Sequence, residues 1–168
     1  MEESIVLSPL ESENFHCLET FLYHAIFIPE GVAEPPYSII DIPDLQVYIH
    51  RFGEYPSDIG WIASHDRAVI GAAWVRLMDD YGHVDDDIPS LAISLLPSYR
   101  SKGIGTKLLI ALLNDVKKHG FKGVSLSVQR ENYARGLYEK LGFVSIEEND
   151  EELKMILLFD KDEDRESD

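Results

Sequence analysis

Apolar positions along the chain recur with two different periods, and the changes of period divide it into alternating strands and helices. "SIVLSPLESENFHCLETFLYHAIF" predicts a short strand and then a helix, with Phe15, Leu18, Leu22, Ala25 and Ile26 on one stripe. Cys17 falls on that helix as a small residue in or near the core. The stretch "IPEGVAEPPYSIIDIP" is rich in Pro, Gly and acids and reads as a long loop, in which Glu30, Glu34 and Tyr37 are candidates for an acceptor site. "DLQVYIHRFG" predicts a short helix closed by Gly53. In "DIGWIASHDRAVIGAAWVRLM" two apolar runs flank the polar tetrad Ser64 to Arg67, the form of an antiparallel hairpin.

The second half is more regular. "SLAISLL" predicts a strand stopped at Pro97, because proline cannot donate to a sheet ladder. Ile104, Leu108, Leu112 and Val116, with Leu109 and Leu113 beside them, form the apolar stripe of a helix ending near Gly120. "VSLSV" alternates as a strand. A second helix runs from Asn132, a good N-cap, to Gly142, and "FVSI" and "LKMILLF" supply two last strands. The class is mixed α/β, with no internal repeat.

With 168 residues the chain can bury one real core, and two would each be marginal, so residues 1–159 are expected to form a single domain. Apolar and charged residues make up 45% and 27%, values ordinary for a water-soluble domain, and no apolar run approaches the ~20 residues that span a bilayer. No membrane association is expected. The N-terminus lacks a basic segment followed by an apolar one, and the lone Cys17 suits a reducing compartment, so a cytoplasmic location is expected. A net charge of −16 argues against a nucleic-acid partner. From Glu147 to Asp168 eleven acids stand against Lys154, Lys161 and Arg165; residues 160–168 have nothing apolar to bury and read as a disordered acidic tail.

The chemistry concentrates in "LLPSYRSKGIGTKLL", residues 95 to 109. A strand that stops at Pro97 and passes through Gly103 and Gly105 into a helix presents unpaired N–H groups at the positive end of the helix dipole. Such a site binds phosphate. Arg100 and Lys102 raise the local potential, and glycines at 103 and 105 let a ligand reach the backbone. The plain alternative is that the glycines only make a tight turn. The spacing fits neither a P-loop nor a dinucleotide fingerprint, whose third glycine would fall at Leu108.

"RSKGIG" does match the pattern R/Q-x-x-G-x-G/A, and here the chain resembles the GNAT superfamily of N-acyltransferases. The resemblance continues in "VSLSVQRENYARGLYEKLGF". It implies a mostly antiparallel, splayed sheet flanked by helices and acetyl-coenzyme A as co-substrate. Arg100 would lend its charge, Ser101, Lys102, Gly103, Ile104, Gly105 and Thr106 would wrap the pyrophosphate, and Ile93, Ser94 and Leu95 would face the pantetheine arm. Asn132 would bond the cofactor arm, a backbone N–H near Leu95 would stabilise an oxyanion, and Tyr138 would give a proton to the sulfur. Tyr138 also fits the apolar stripe of its helix.

The base is the weak point. Relatives often carry a glutamate on the strand before the loop, where this chain has Ser90 and Leu91, or on the next strand, where it has Ser127. His83, Asp85, Asp86 and Asp87 are candidates for a water-relayed base. The histidines show no metal-ligand spacing, so no metal is expected. The resemblance implies acetyl transfer to a primary amine, with a small-molecule acceptor as the first reading. A protein amine, or a non-catalytic coenzyme A sensor, is the alternative, and a homodimer stays open.

Overall fold

A computed structural model describes residues 4–77 and 87–159. The acidic tail, 160–168, and the base candidates His83, Asp85 and Asp86 lie outside the described residues. Seven strands form one sheet: β1 (Ile5–Pro9), β2 (Ile59–His65), β3 (Ala68–Arg76), β4 (Ser90–Leu95), β5 (Gly123–Gln129), β6 (Val144–Glu148) and β7 (Glu152–Leu158), in the order β1-β2-β3-β4-β5-β7-β6. Every neighbouring pair is antiparallel except β4 and β5, which run parallel. The mixed, mostly antiparallel sheet expected from the sequence is what forms.

The helices are α1 (Leu18–His24), α2 (Pro43–Gln46), α3 (Ile104–Lys118) and α4 (Ala134–Lys140). One face of the sheet carries α3, whose stripe Ile104, Leu108, Leu112 and Val116 is buried against Val75, Leu91, Val124 and Leu126. The opposite face carries α1, where Leu18, Phe21 and Leu22 pack with Ile62, Ala72 and Trp74. At ~25 cal/mol per Å² of buried apolar surface, two such layers are the main source of stability.

The hairpin is confirmed and its turn sharpened. Asp66 and Arg67 both take left-handed conformations, φ 51° and 70°, as a two-residue turn with the twist of the flanking strands requires. The first helix is shorter than its apolar stripe. Residues 12–17 form a 3₁₀ turn, because Phe15 leaves the helical stripe to meet Phe52 edge-on, ring centres 5.3 Å apart. Cys17 ends that turn half-buried, and burial pushes its thiol up to about 11, so it is inert as a nucleophile at neutral pH. The helix expected after the long loop contracts to the single turn α2, followed by turns that reach Gly53 at φ 104°. Among the described residues no helix is long and apolar enough to cross a membrane.

Candidate functional site

The site begins where the sheet comes apart. β4 and β5 share one register pair, Ser90 with Ser125, and then diverge. The ladder phase shows what β4 exposes to the gap. Leu96 N–H donates to Ile70 O at 2.9 Å, so its even-numbered neighbours bond to β3 and the backbone groups of Leu91, Ile93 and Leu95 point the other way, toward β5. Ser125 N–H donating to Pro89 O at 3.0 Å, at the end where the strands still touch, fixes the same phase. Beyond that point Ile93 offers both its backbone groups, and Leu95 its N–H, to an open cleft of about 890 Å³.

The glycine loop closes one end of this cleft. Gly103, φ 83°, is the residue before α3, and Ser101 is also left-handed at φ 62°. Among the described residues none of the backbone N–H groups of Ser101 through Thr106 has an acceptor, and the first main-chain bond is Lys107 N–H to Gly103 O at 3.4 Å. Unpaired donors, left-handed backbone and a helix N-terminus together form an anion cradle. A Cβ at Gly103 would meet nothing within 4 Å, and one at Gly105 only Leu137 Cδ2 and Leu95 Cδ1, each at 3.8 Å. The protein's own packing does not demand glycine at 105.

Arg100, Ser101, Gly103, Gly105 and Thr106 line the cleft, as do Ile93, Ser94, Leu95, Asn132 and Tyr138. Two residues named from the sequence do not bring side chains to it: Lys102 sits over the Tyr99 ring at 5.9 Å, and the Ile104 side chain is in the core. Their amides remain in the cradle. The Arg100 guanidinium is held locally, Nε donating to Leu95 O and Nη2 to His24 O, each at 3.3 Å, so it ties the end of β4 to the end of α1. The N-cap of α4 is Tyr133, one residue later than the sequence suggested, and Asn132 instead makes a local turn in which its Oδ1 accepts from Ala134 N–H at 2.9 Å; the residue lines the cleft.

Tyr138 is buried, its ring 5.7 Å from that of Phe143, and its hydroxyl has no partner among the described residues. Burial, reinforced by Tyr133, pushes the phenol well above the usual tyrosine range. It is a proton donor held fully protonated. Asp87, the one described member of the expected base cluster, pairs with Lys122 at 3.2 Å at the other end of β4 and does not line the cleft. Of the loop candidates, Glu34 lines the cleft; Glu30 does not, and Tyr37 packs on Tyr23 at 5.3 Å.

Sequence reasoning missed His24 and Glu152, both on the cleft wall. His24 is held below the usual histidine range by burial first and by Arg100 second, with Glu34 acting in the other direction. Folding therefore favours the neutral ring, and the stability this contributes is present above ~6.5 and lost as pH falls through the lower folded value. An NMR titration should show the His24 ring protonating below ~6.5, and Glu34→Gln should lower the midpoint further. A midpoint at or above the ordinary value would contradict this placement.

The acetyltransferase (GNAT) family model matches residues 24–143. The chain belongs to that family. It is 32% identical over 84 residues to the probable N-acetyltransferase camello of Xenopus laevis, covering 49% of this chain and 37% of that protein. It is 37% identical over 62 residues to the [ribosomal protein bS18]-alanine N-acetyltransferase of Haemophilus influenzae, covering 37% and 42%. The chain thus spans less than half the length of these two relatives. Among solved structures, the PaiA N-acetyltransferase of Thermoplasma acidophilum in complex with coenzyme A superposes with a TM-score of 0.67 over 93% of this chain and 99% of that one, at 21% identity. That likeness concerns the fold.

Proposed function

We propose that this GNAT protein transfers the acetyl group of acetyl-coenzyme A to a primary amine by direct attack in a ternary complex. The observation that carries this is the run of unpartnered amides from Ser101 to Thr106 beside the split between β4 and β5. A phosphate-ended, extended ligand fits that arrangement: the cradle meets its anionic end and the open strand edge its amide-bearing arm. Bound acetyl-coenzyme A would supply an acyl group already activated as a thioester.

The chain's own residues divide the remaining work. The cradle holds the pyrophosphate, Ile93 pairs with the arm as an added strand would, and Asn132 Nδ2 donates to it. The Leu95 N–H, directed into the gap, meets the negative charge that develops on the carbonyl oxygen. Tyr138 faces the sulfur with its proton. We take the acceptor to be a small primary amine, and the acids on the cleft wall, Glu34 and Glu152, suit a cationic one. The likeness to the bS18-alanine enzyme favours a second reading, in which the amine belongs to a protein.

Acetyl-coenzyme A with a panel of amines, including α-amino peptides, and free-thiol detection tests the activity. Tight coenzyme A binding without turnover on any amine would favour a sensor. The cradle is tested separately by Gly105→Val, whose Cβ meets only the flexible ends of Leu137 and Leu95, each at 3.8 Å. It should fold normally and lose at least ~100-fold in coenzyme A affinity, the equivalent of two charge-assisted hydrogen bonds at ~1.5 kcal/mol each. Unchanged calorimetric affinity in the folded variant would place the pyrophosphate elsewhere.

A further inference from the structure

We propose that Glu152 of β7 takes the proton from the acceptor amine, with Ser127 of β5 aiming its carboxylate. The inference rests on the acetyl-transfer reading above and supplies the base that the strand sequences lack.

The register places it. Gln129 lies opposite Glu152, and Ser127 opposite Lys154. Leu126, Val128, Leu153 and Met155 are buried in the core under α3. Because side chains alternate across a sheet, Ser127, Gln129 and Glu152 emerge on the other face. That is the face of α1, where Ser94 Oγ donates to Phe21 O at 2.6 Å. Glu152 is half-buried there, Ser127 Oγ donates to its Oε2 at 3.3 Å, and both residues line the cleft.

Tyr138 belongs to the opposite core, under α3. The donor and the carboxylate therefore enter one cleft from the two faces of the sheet, with the strand split between them. A ternary complex needs the donor at the sulfur and the carboxylate at the amine nitrogen, two different substituents of the same tetrahedral carbon, and entry from two faces lets each reach its own atom without crossing the other. Lys154, the next residue on Glu152's face, is ion-paired to Glu147 at 3.1 Å.

The step balances. The amine nitrogen forms a bond to the acyl carbon and the C–S bond breaks with its electron pair leaving on sulfur. One N–H proton passes to Glu152, and the Tyr138 proton passes to sulfur. Solvent then returns Glu152 and Tyr138 to their starting states. A carboxylate is sufficient as acceptor because the nitrogen turns cationic, and its N–H acidic, as the C–N bond forms.

The test compares Glu152→Gln, which keeps shape and the Ser127 hydrogen bond but cannot hold the proton, with Glu152→Asp. Coenzyme A affinity by calorimetry, melting temperature, and kcat and KM on an amine that the wild type acetylates are measured for each. Glu152→Gln should lose ~10²- to 10⁴-fold in kcat, with coenzyme A affinity and melting temperature close to wild type, and Glu152→Asp should recover part of the loss. Wild-type kcat in Glu152→Gln overturns the role of Glu152 alone. A loss accompanied by an equal loss of coenzyme A affinity also overturns it, by making the residue structural. Absence of turnover by the wild type on every amine overturns both this inference and the activity on which it rests.

Discussion

Tyr138→Phe should lower kcat by ~10²-fold while leaving coenzyme A affinity and stability nearly unchanged. The ring does the packing: it is buried and meets Phe143, and phenylalanine keeps both contacts. The hydroxyl has no partner among the described residues, so its removal breaks no hydrogen bond in the free protein. Its only loss falls on the reaction. Ordinary values of ~10 for tyrosine and ~8.5 for a thiol would make proton transfer to the leaving thiolate only slightly uphill. Burial widens that gap by raising the phenol. In the proposed mechanism the phenol therefore acts as a hydrogen-bond donor to charge developing on sulfur and yields its proton only as the C–S bond breaks, which puts the expected effect at the lower end of the ~10²- to 10⁴-fold range for a positioned acid. Steady-state kinetics across pH would check this. Full kcat in Tyr138→Phe at every pH would leave the residue a place in the core and none in the chemistry.

The geometry of the glycine loop was legible in the sequence because it is a property of backbone. Pro97, Gly103 and Gly105 constrain where chain can run, and a helix N-terminus has unpaired donors whatever surrounds it. The α3 stripe was equally legible, since period 3.6 over Ile104 to Val116 leaves no competing strand pattern. The first helix was less so. Phe15 fits the helical stripe by spacing, and its contact with Phe52, 37 positions onward, goes with a 3₁₀ turn over 12–17, so that the α-helix starts only at Leu18.

Glu152 was hidden for a different reason. In "NDEELKMILLF" it is one acid among several at the edge of an acidic region, and no local pattern separates it from Glu151. Its distinction arises from the β5–β7 register, which is a long-range choice made by burying Leu153 and Met155. The lack of an acid at Ser127 was visible; the carboxylate that its hydroxyl meets from the adjacent strand was not. His24 was likewise obscured, because its environment depends on Arg100, which approaches it only when the end of β4 meets the end of α1.

The largest stability effect should come from a pair that the sequence also concealed. Asp58→Ala should destabilise the fold by ~3–5 kcal/mol, because it strands the Arg76 guanidinium inside the protein. The Arg76 side chain is 4% exposed and that of Asp58 0%, and they meet bidentately, Nε to Oδ1 at 2.9 Å and Nη2 to Oδ2 at 3.0 Å. Nη1 donates to Val47 O at 3.1 Å and His50 O at 2.6 Å, the guanidinium lies over the rings of Phe52 and Tyr55, and Asp58 Oδ2 accepts from Gly53 and Tyr55 N–H. The pair thus fastens residues 47–58, which have little regular structure of their own, to the end of β3. The same segment starts beside Leu45 and Tyr48 on the cleft wall, so loosening it should also weaken acceptor binding. Arg76→Met on top of Asp58→Ala should recover much of the loss, since no charge is then left buried, but not all of it, because the carbonyls of Val47 and His50 and the amides of Gly53 and Tyr55 still lack partners. Thermal unfolding of the two single variants and the double, read as a double-mutant cycle, measures this; at ~2–4 °C per kcal/mol the single Asp58→Ala should melt roughly 6–20 °C lower. A shift of under ~2 °C, below ~1 kcal/mol, would mean that water or a neighbouring group reaches the guanidinium and that this pair does not fasten the segment.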